Sequence, residues 1–329
     1  MVYSIEPLTD ENAFKWEEFI RRCEEGTLFH RIAWKNFLED AFQLRSKYYL
    51  ILKDEKVIGI CPCIEQTIYT FRGIGSIPHS ENNNILLDGS FDINQINDVL
   101  ALFSKDYSFI KFNTYDPTIL DRITYRMFPF AEEGNMVVDL KQKPPDLIWE
   151  TLSKQTKKHI RGLENKGFEV REMHTPADLE MFYRYYAENV TRIHGSVHSF
   201  SVIQKILETF PPEDVRIAAL TRGDMFASGT LTIVDRDKKT AYFRYMALNR
   251  DLSGRHTPSY PIYWDLITWA WDNGYEKISL GREIRDPNVG SFKNKVKFGA
   301  DYIPFYPGTV LLSKGMSYLH WLKRALPGR

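Results

Sequence analysis

Two periods of hydrophobic spacing alternate along the chain and divide it into helices and strands. Asp10 to Cys23 reads as a helix with Phe14, Phe19 and Ile20 on or near one face, and Ala33 to Phe42 as a second. Lys47 to Lys53 and Val57 to Ile68 alternate as strands around Asp54-Glu55-Lys56, a hairpin signal. Phe71 to Ser90, rich in Gly, Asn, Ser and Pro, reads as loop, and Phe71-Arg72-Gly73-Ile74-Gly75 within it as a turn. A helix over Ile93 to Phe103 and strands over Ser108 to Asn113 and Asn135 to Leu140 follow.

From Asp146 to Lys166 the helical pattern is the clearest in the chain. Trp149, Leu152, Thr156, Ile160 and Leu163 share one face, with Lys154, Lys157, Lys158 and Arg161 on the other. Phe168 to Met173 is a strand; Pro176 to Val190 and Ser199 to Phe210 are helices. Val215 to Leu220 and Met225 to Val234 pair around Arg222-Gly223-Asp224, and the aromatic run Ala241 to Ala247 makes a third strand. A helix starting at Thr257-Pro258 and stopping at Asn273-Gly274 carries Tyr263, Leu266, Ile267, Ala270 and Trp271 at helical spacing. Lys277 to Leu280 is a further strand. Asp301 to Leu312 supplies strands that Pro304 and Pro307 confine in part to a sheet edge, and Ser317 to Leu326 a short amphipathic helix.

The two halves echo each other in architecture: helices, a hairpin, then more strand and helix. That places one domain at 1–140, a second at 141–312, and a C-terminal helix at 313–329 packing on the first. A length of 329 residues suits about two domains. A hydrophobic content of 43% with 26% charged residues marks a folded globular protein. Lys+Arg and Asp+Glu stand equal at 43 each, so nucleic-acid or membrane binding would need a local patch, such as the basic face Lys154 to Arg161 or the C-terminal helix. No signal peptide or membrane-spanning run is seen. Cys23, Cys61 and Cys63 read as reduced thiols, and the expected location is cytoplasmic. Cys61 and Cys63 alternate onto one strand face as structural residues, lacking the partners metal or redox chemistry needs. His194 and His198 are four apart, but Gly195 weakens the helix between them and no acidic ligand stands near, so no metal is expected.

The segment Ala241 to Gly299 is where an active site is expected. Its loop Asn249 to His256 runs into a helix N-terminus that favours an anion, with Arg250, Arg255 and His256 adding charge; an ordinary solvated loop has the same spacing.

The chain resembles the Fem-type aminoacyltransferases of peptidoglycan bridge formation and their wider relatives. The resemblance rests on Thr191-Arg192-Ile193-His194-Gly195, Ala227-Ser228-Gly229, Phe243-Arg244-Tyr245, Trp264 to Gly274, Gly281, and Phe292-Lys293 through Phe298-Gly299, which fall in the family's order and spacing. Thr27 to Trp34 and the Tyr48 to Glu65 hairpin match more loosely. The resemblance implies an α/β (α+β) fold of two tandem GNAT-like domains, acyl-CoA N-acyltransferase-like, with mixed, largely antiparallel sheets flanked by helices. It implies an N-acyltransferase moving an aminoacyl or other acyl group to an acceptor amine through a tetrahedral intermediate. Lys293 and Tyr245 would then be catalytic. Arg192, with His194, Arg255, Tyr260 and Lys297, would bind substrate, and no cofactor would be held tightly. The donor would be aminoacyl-tRNA, reached through the basic helix, or acyl-CoA; the acceptor would be a small-molecule or peptide amine.

Those roles suit the chemistry. Attack by an amine on an ester or thioester builds negative charge on oxygen, which an ammonium or hydroxyl donor stabilises selectively, and a guanidinium suits a phosphate. Glu283, Asp286 and His194, or substrate and water, are the candidate bases. The chain departs from the family at Leu38, where many members carry lysine, and at Ser279, where many carry aspartate. Arg250 to Arg255 lacks the GNAT pyrophosphate pattern. Two alternatives stand beside the first reading: an acyl-CoA-dependent N-acetyltransferase, and a non-catalytic RNA- or anionic-metabolite-binding protein on the same fold.

Overall fold

The computed structural model describes residues 2–81, 85–89, 91–252 and 257–315. It divides into two units. One holds Met1–Gly134 and the chain from Pro304 onward; the other holds Asn135–Ile303. The expected boundary at 140 thus lies at 134, and the chain rejoins the first unit at 304 rather than staying in the second to 312. The expected C-terminal helix lies almost wholly outside the described residues.

In chain order the elements begin β1 (Tyr3–Pro7), α1 (Ala13–Arg22), α2 (Ile32–Phe42), β2 (Ser46–Lys53), β3 (Lys56–Ile68) and β4 (Phe71–Gly75). Next come β5 (Leu86–Leu87), α3 (Ile96–Phe103), β6 (Phe109–Thr114), α4 (Thr118–Arg122) and β7 (Arg126–Pro129). The second half runs β8 (Glu133–Asp139), α5 (Pro145–Thr151), α6 (Lys154–Glu164), β9 (Glu169–Glu172), α7 (Pro176–Arg192), α8 (Phe200–Thr209), β10 (Val215–Arg222) and β11 (Met225–Asp235). It ends with β12 (Thr240–Leu248), α9 (Ser259–Asp272), β13 (Lys277–Glu283), α10 (Gly290–Lys297) and β14 (Asp301–Leu311).

In the first unit the strands lie in the order β1-β2-β3-β4-β6-β14. The β2–β3 hairpin turns at Asp54 and Glu55, both with positive φ, the backbone that matches the twist of a tight hairpin. Cys61 and Cys63 share the core with Ile74, Val99, Phe103 and Ile110, and burial pushes the Cys63 thiol well up, as suits core residues. Two expectations are corrected here. Phe71 to Gly75 is a strand, β4, and not a turn: Gly73 lacks a side chain because a Cβ there would sit 2.5 Å from the buried Phe109 ring. The C-terminal half of β14 is no edge, being paired with β6 on one side and β7 on the other.

The sheet of the second unit runs β8-β13-β12-β11-β10-β9. Helices α5, α6 and α9 cover one face, burying Ile148, Ile160, Leu266 and Ile267 with Phe298, the residue that ends α10. Helix α7 covers the other; Phe182 packs 3.2 Å from where a Cβ would stand on Gly229. The single helix expected over 146–166 is two. Leu152 is extended, and the Ser153 hydroxyl accepts from the Thr156 N–H, starting α6 afresh with the apolar face as expected. Arg216 clamps α9 to β10: its guanidinium reaches both Asp265 carboxylate oxygens at 2.8 and 3.3 Å and lies 4.7 Å over the Trp269 ring. Trp271 and Phe14, expected on packed faces, are exposed. Among the described residues no helix is long and apolar enough to cross a membrane.

Gly73→Ala forces its new methyl group into the rigid Phe109 ring. Urea denaturation is expected to show a loss of about 1–3 kcal/mol, and an unchanged midpoint contradicts the packing described here.

Candidate active site

Two strands part company in the second unit. β12 and β13 run parallel but pair only from Thr240–Lys277 to Tyr242–Ser279, after which β12 continues to Leu248 and β13 to Glu283. Gly281, at φ +83°, lets β13 turn away at this point, a conformation costly for any residue with a Cβ. A wedge therefore opens between two strand edges whose N–H and C=O groups no longer meet each other.

The other edge of β12 is irregular at the same level. Tyr245 faces Leu231 and Phe243 faces Thr232 across the β11 ladder, so Arg244 is an extra residue in a bulge. A bulge reverses the alternation of side chains beyond it. Phe243 accordingly stacks on Tyr263 of α9 at 5.8 Å, while Tyr245, two residues on, meets Tyr186 of α7 edge-on at 5.1 Å.

Tyr245 is 8% exposed, and its hydroxyl is hydrogen-bonded to Nδ1 of His198 at 2.8 Å. The loop carrying His198 is fixed in turn, since the His198 backbone N–H donates to the Tyr186 hydroxyl at 3.1 Å. Burial pushes the Tyr245 hydroxyl up to about 12, partly offset by the Arg244 charge. Burial, and then Arg244, press His198 below 6.5. Both rings are therefore neutral at pH 7, and the pair can hold or pass one proton.

A second cluster stands at the start of α9, whose N-cap residue Pro258 offers no side-chain cap. The Lys297 ammonium lies 4.4 Å over the Tyr260 ring and donates to its hydroxyl. Asn294 accepts from that hydroxyl at 3.4 Å. Nδ1 of His159 on α6 accepts from the Thr257 N–H at 3.1 Å, and burial with the charges of Lys297 and Lys158 lowers the His159 pKa. A helix N-terminus beside an ammonium is a site for an anion.

The other expected residues are distributed differently. Lys293, on the same helix face as Lys297 one turn earlier, is exposed, and among the described residues no hydrogen bond or ion pair reaches its ammonium. The inward lysine is Lys295, paired with Glu283 at 3.0 Å in a largely buried bridge, which occupies that carboxylate. Arg192 is exposed and paired with Asp251 at 3.1 Å. His194 is exposed at φ +58°, and Asp286 is half-buried and accepts from the Asn288 N–H at 2.8 Å. Arg250 reaches Asn189 at 2.7 Å. Arg255 and His256 lie outside the described residues. On the basic face of α6, Lys157 and Arg161 lie over Trp149 at 5.7 and 5.2 Å, so half of that charge is packed against the helix before it, and a tRNA contact there has no support. The sequence singled out Tyr245, Tyr260 and Lys297 but missed His198 as the partner of Tyr245. Nothing in the local pattern marks that pairing, which the α7–α8 loop creates by folding back across β12.

Comparison with known proteins bears on the fold that carries this geometry. Residues 152–293 match the model of an acetyltransferase (GNAT) domain. In fold the chain is similar to FemX, at 11% identity and a TM-score of 0.69, over 96% of this chain and 99% of that one. It is also similar to a tandem GNAT protein from the clavulanic acid biosynthesis pathway, at 9% identity and a TM-score of 0.59, over 95% and 99%. A third is the C-terminal domain of a putative lysylphosphatidylglycerol synthetase from Agrobacterium fabrum, at 14% identity and a TM-score of 0.56, over 96% of each. No curated protein sequence matches the chain. Residues 152–293 therefore form a GNAT-type acyltransferase domain, and the chain as a whole has the fold of the Fem-like tandem GNAT proteins.

Because the folded His198 binds its proton less readily than the unfolded chain does, its contribution to stability is full above about 6.5 and is lost as pH falls below it toward the folded value. Imidazole NMR titration is expected to place His198 below 6.5, and Arg244→Gln to move it upward. A His198 midpoint above 6.5 contradicts the arrangement.

Proposed function

We propose that the second unit is an N-acyltransferase that takes an acyl-CoA thioester as donor and a primary amine as acceptor. The observation that carries this reading is the wedge between β12 and β13 opening beside the uncapped start of α9. A slender arm bearing amides can pair with exposed strand edges, as peptides do when they extend a sheet. The pyrophosphate at the other end of such a donor suits a helix N-terminus and the Lys297 ammonium. An aminoacyl-tRNA shares the phosphate but not the amide-bearing arm.

In this scheme the thioester carbonyl lies near the bulge at Arg244, and Tyr245 meets the reacting amine. The nitrogen attacks the carbonyl carbon, a C–N bond forms, and the oxygen carries negative charge until the C–S bond breaks and the thiolate leaves. Donors fixed in advance around that oxygen lower the barrier because they interact more strongly with the tetrahedral state than with the thioester. Lys293, one turn from Lys297, would reach the substrate as a mobile ammonium, either at the oxyanion or at a second anionic group. Arg192 would serve an acceptor phosphate only after leaving Asp251, an exposed pair that holds it weakly.

Calorimetric titration with acetyl-CoA is expected to show saturable binding at micromolar concentration, weakened about tenfold, a loss typical of one charge-assisted contact, in Lys297→Ala. Acetyl transfer to an amine should be abolished in Lys293→Ala with the fold intact if that ammonium acts at the reacting centre. No heat with acetyl-CoA, together with acyl transfer from charged tRNA, overturns the acyl-CoA reading in favour of aminoacyl transfer.

A further inference from the structure

Direct attack by an amine leaves one chemical requirement unmet by the residues the sequence offered. The attacking nitrogen must lose a proton, and each carboxylate or imidazole expected to take it is otherwise placed. Glu283 is held in its bridge to Lys295, Asp286 is half-buried and accepts from the Asn288 N–H of its own loop, and His194 stands exposed on a left-handed residue. Resting on the acyltransferase reading above, we infer that Tyr245 and His198 form a two-member proton relay that serves as the general base, with Tyr245 touching the amine and His198 positioning its hydroxyl and taking its proton.

Four observations support the assignment. The hydroxyl and Nδ1 are 2.8 Å apart, within the distance for direct transfer. The bulge at Arg244 turns Tyr245 out of the alternation and aims it at the loop between α7 and α8. That loop is pinned at His198 by the backbone bond to Tyr186, so the imidazole is oriented before any substrate arrives. His198 is only partly buried, so the imidazolium formed by a proton gained at Nδ1 is within reach of water to be discharged.

The step balances without a further reactant. As the C–N bond forms, a nitrogen-bound proton moves to the Tyr245 oxygen while the phenolic proton moves to His198 Nδ1. The tetrahedral intermediate then expels the thiolate, and the imidazolium returns its proton to the sulfur or to water. The products are an amide and a free thiol, and both side chains regain their starting forms. Tyr245 and Arg244 of β12 and Tyr186 of α7 face His198; the cation opposes a proton on the ring, which favours the relay's accepting form at neutral pH.

The test compares pH–rate profiles for acetyl transfer from acetyl-CoA to a panel of primary amines. Wild-type protein is expected to lose kcat/KM on the acid side with a midpoint below 6.5, the ordinary histidine value. His198→Gln, which keeps a hydrogen-bonding partner for Tyr245 but cannot take a proton, is expected to fall about 100-fold or more in kcat, to keep its KM for acetyl-CoA, and to lose that acid limb. Added imidazole should restore part of the rate in His198→Ala, a rescue that a purely structural role would not give. Thermal melting of each variant separates misfolding from chemistry. If both variants fold and keep wild-type kcat and the same profile while Tyr245→Phe is inactive, the relay is overturned and tyrosine acts without histidine. If folded wild-type protein transfers no acetyl group to any amine, the acetyl-CoA reading itself fails, and the relay argued for it fails with it.

Discussion

The parting of β12 from β13 is the constraint on which the rest of the second unit depends. Two parallel strands that stay paired leave no room for a ligand in their plane. Here Gly281 turns one strand away, and the extra residue at Arg244 distorts the other at the same level. The local twist of the bulge also decides which side chain faces which helix. Without it, Phe243 and Tyr245 would both lie under α9; with it, one builds the core and the other builds the site. Packing and chemistry thus share one backbone irregularity.

The cations of this unit fall into two groups by what surrounds them. Arg216 and Lys295 are buried and fully engaged, the first by Asp265, Glu172 and the Trp269 face, the second by Glu283. Removing one partner of such a pair leaves an uncompensated charge, so these residues hold α9 and α10 in place and are not available to a substrate. Lys297 is different, because among the described residues its partners are a tyrosine hydroxyl and ring, which leave its charge unneutralised beside the start of α9. The same sequence run, Lys293 to Lys297, therefore supplies a solvent-facing lysine, a buried structural one, and one beside the helix terminus.

Much of the fold was legible because burial follows periodicity. The β2–β3 hairpin, the strands β10 to β12, and the helix from Pro258 to the Asn273-Gly274 stop stand where spacing and turn residues put them. The failures have physical causes. β4 hid behind two glycines that look like a turn, of which Gly73 makes room for the Phe109 ring and Gly75 for the Gln66 side chain. Ser153 split one amphipathic pattern into two helices without changing which face is apolar, so periodicity could not reveal the break. In the site, Tyr245 and the Lys297–Tyr260 pair come from segments whose residues the family resemblance already singled out. His198 was seen only as a companion of His194, since its contact with Tyr245 crosses 47 residues and depends on how a loop returns over the sheet.

The central claim is that the wedge beside the start of α9 receives the acyl donor, and amide hydrogen exchange with and without acetyl-CoA tests it most directly. The account predicts slowed exchange in β12 from Phe243 to Leu248, in β13 near Gly281, and in the first turn of α9. Protection confined elsewhere, such as the roughly 510 Å³ hollow lined by Thr175, Leu179, Phe200 and Leu207, with β12 and α9 unchanged, would contradict it.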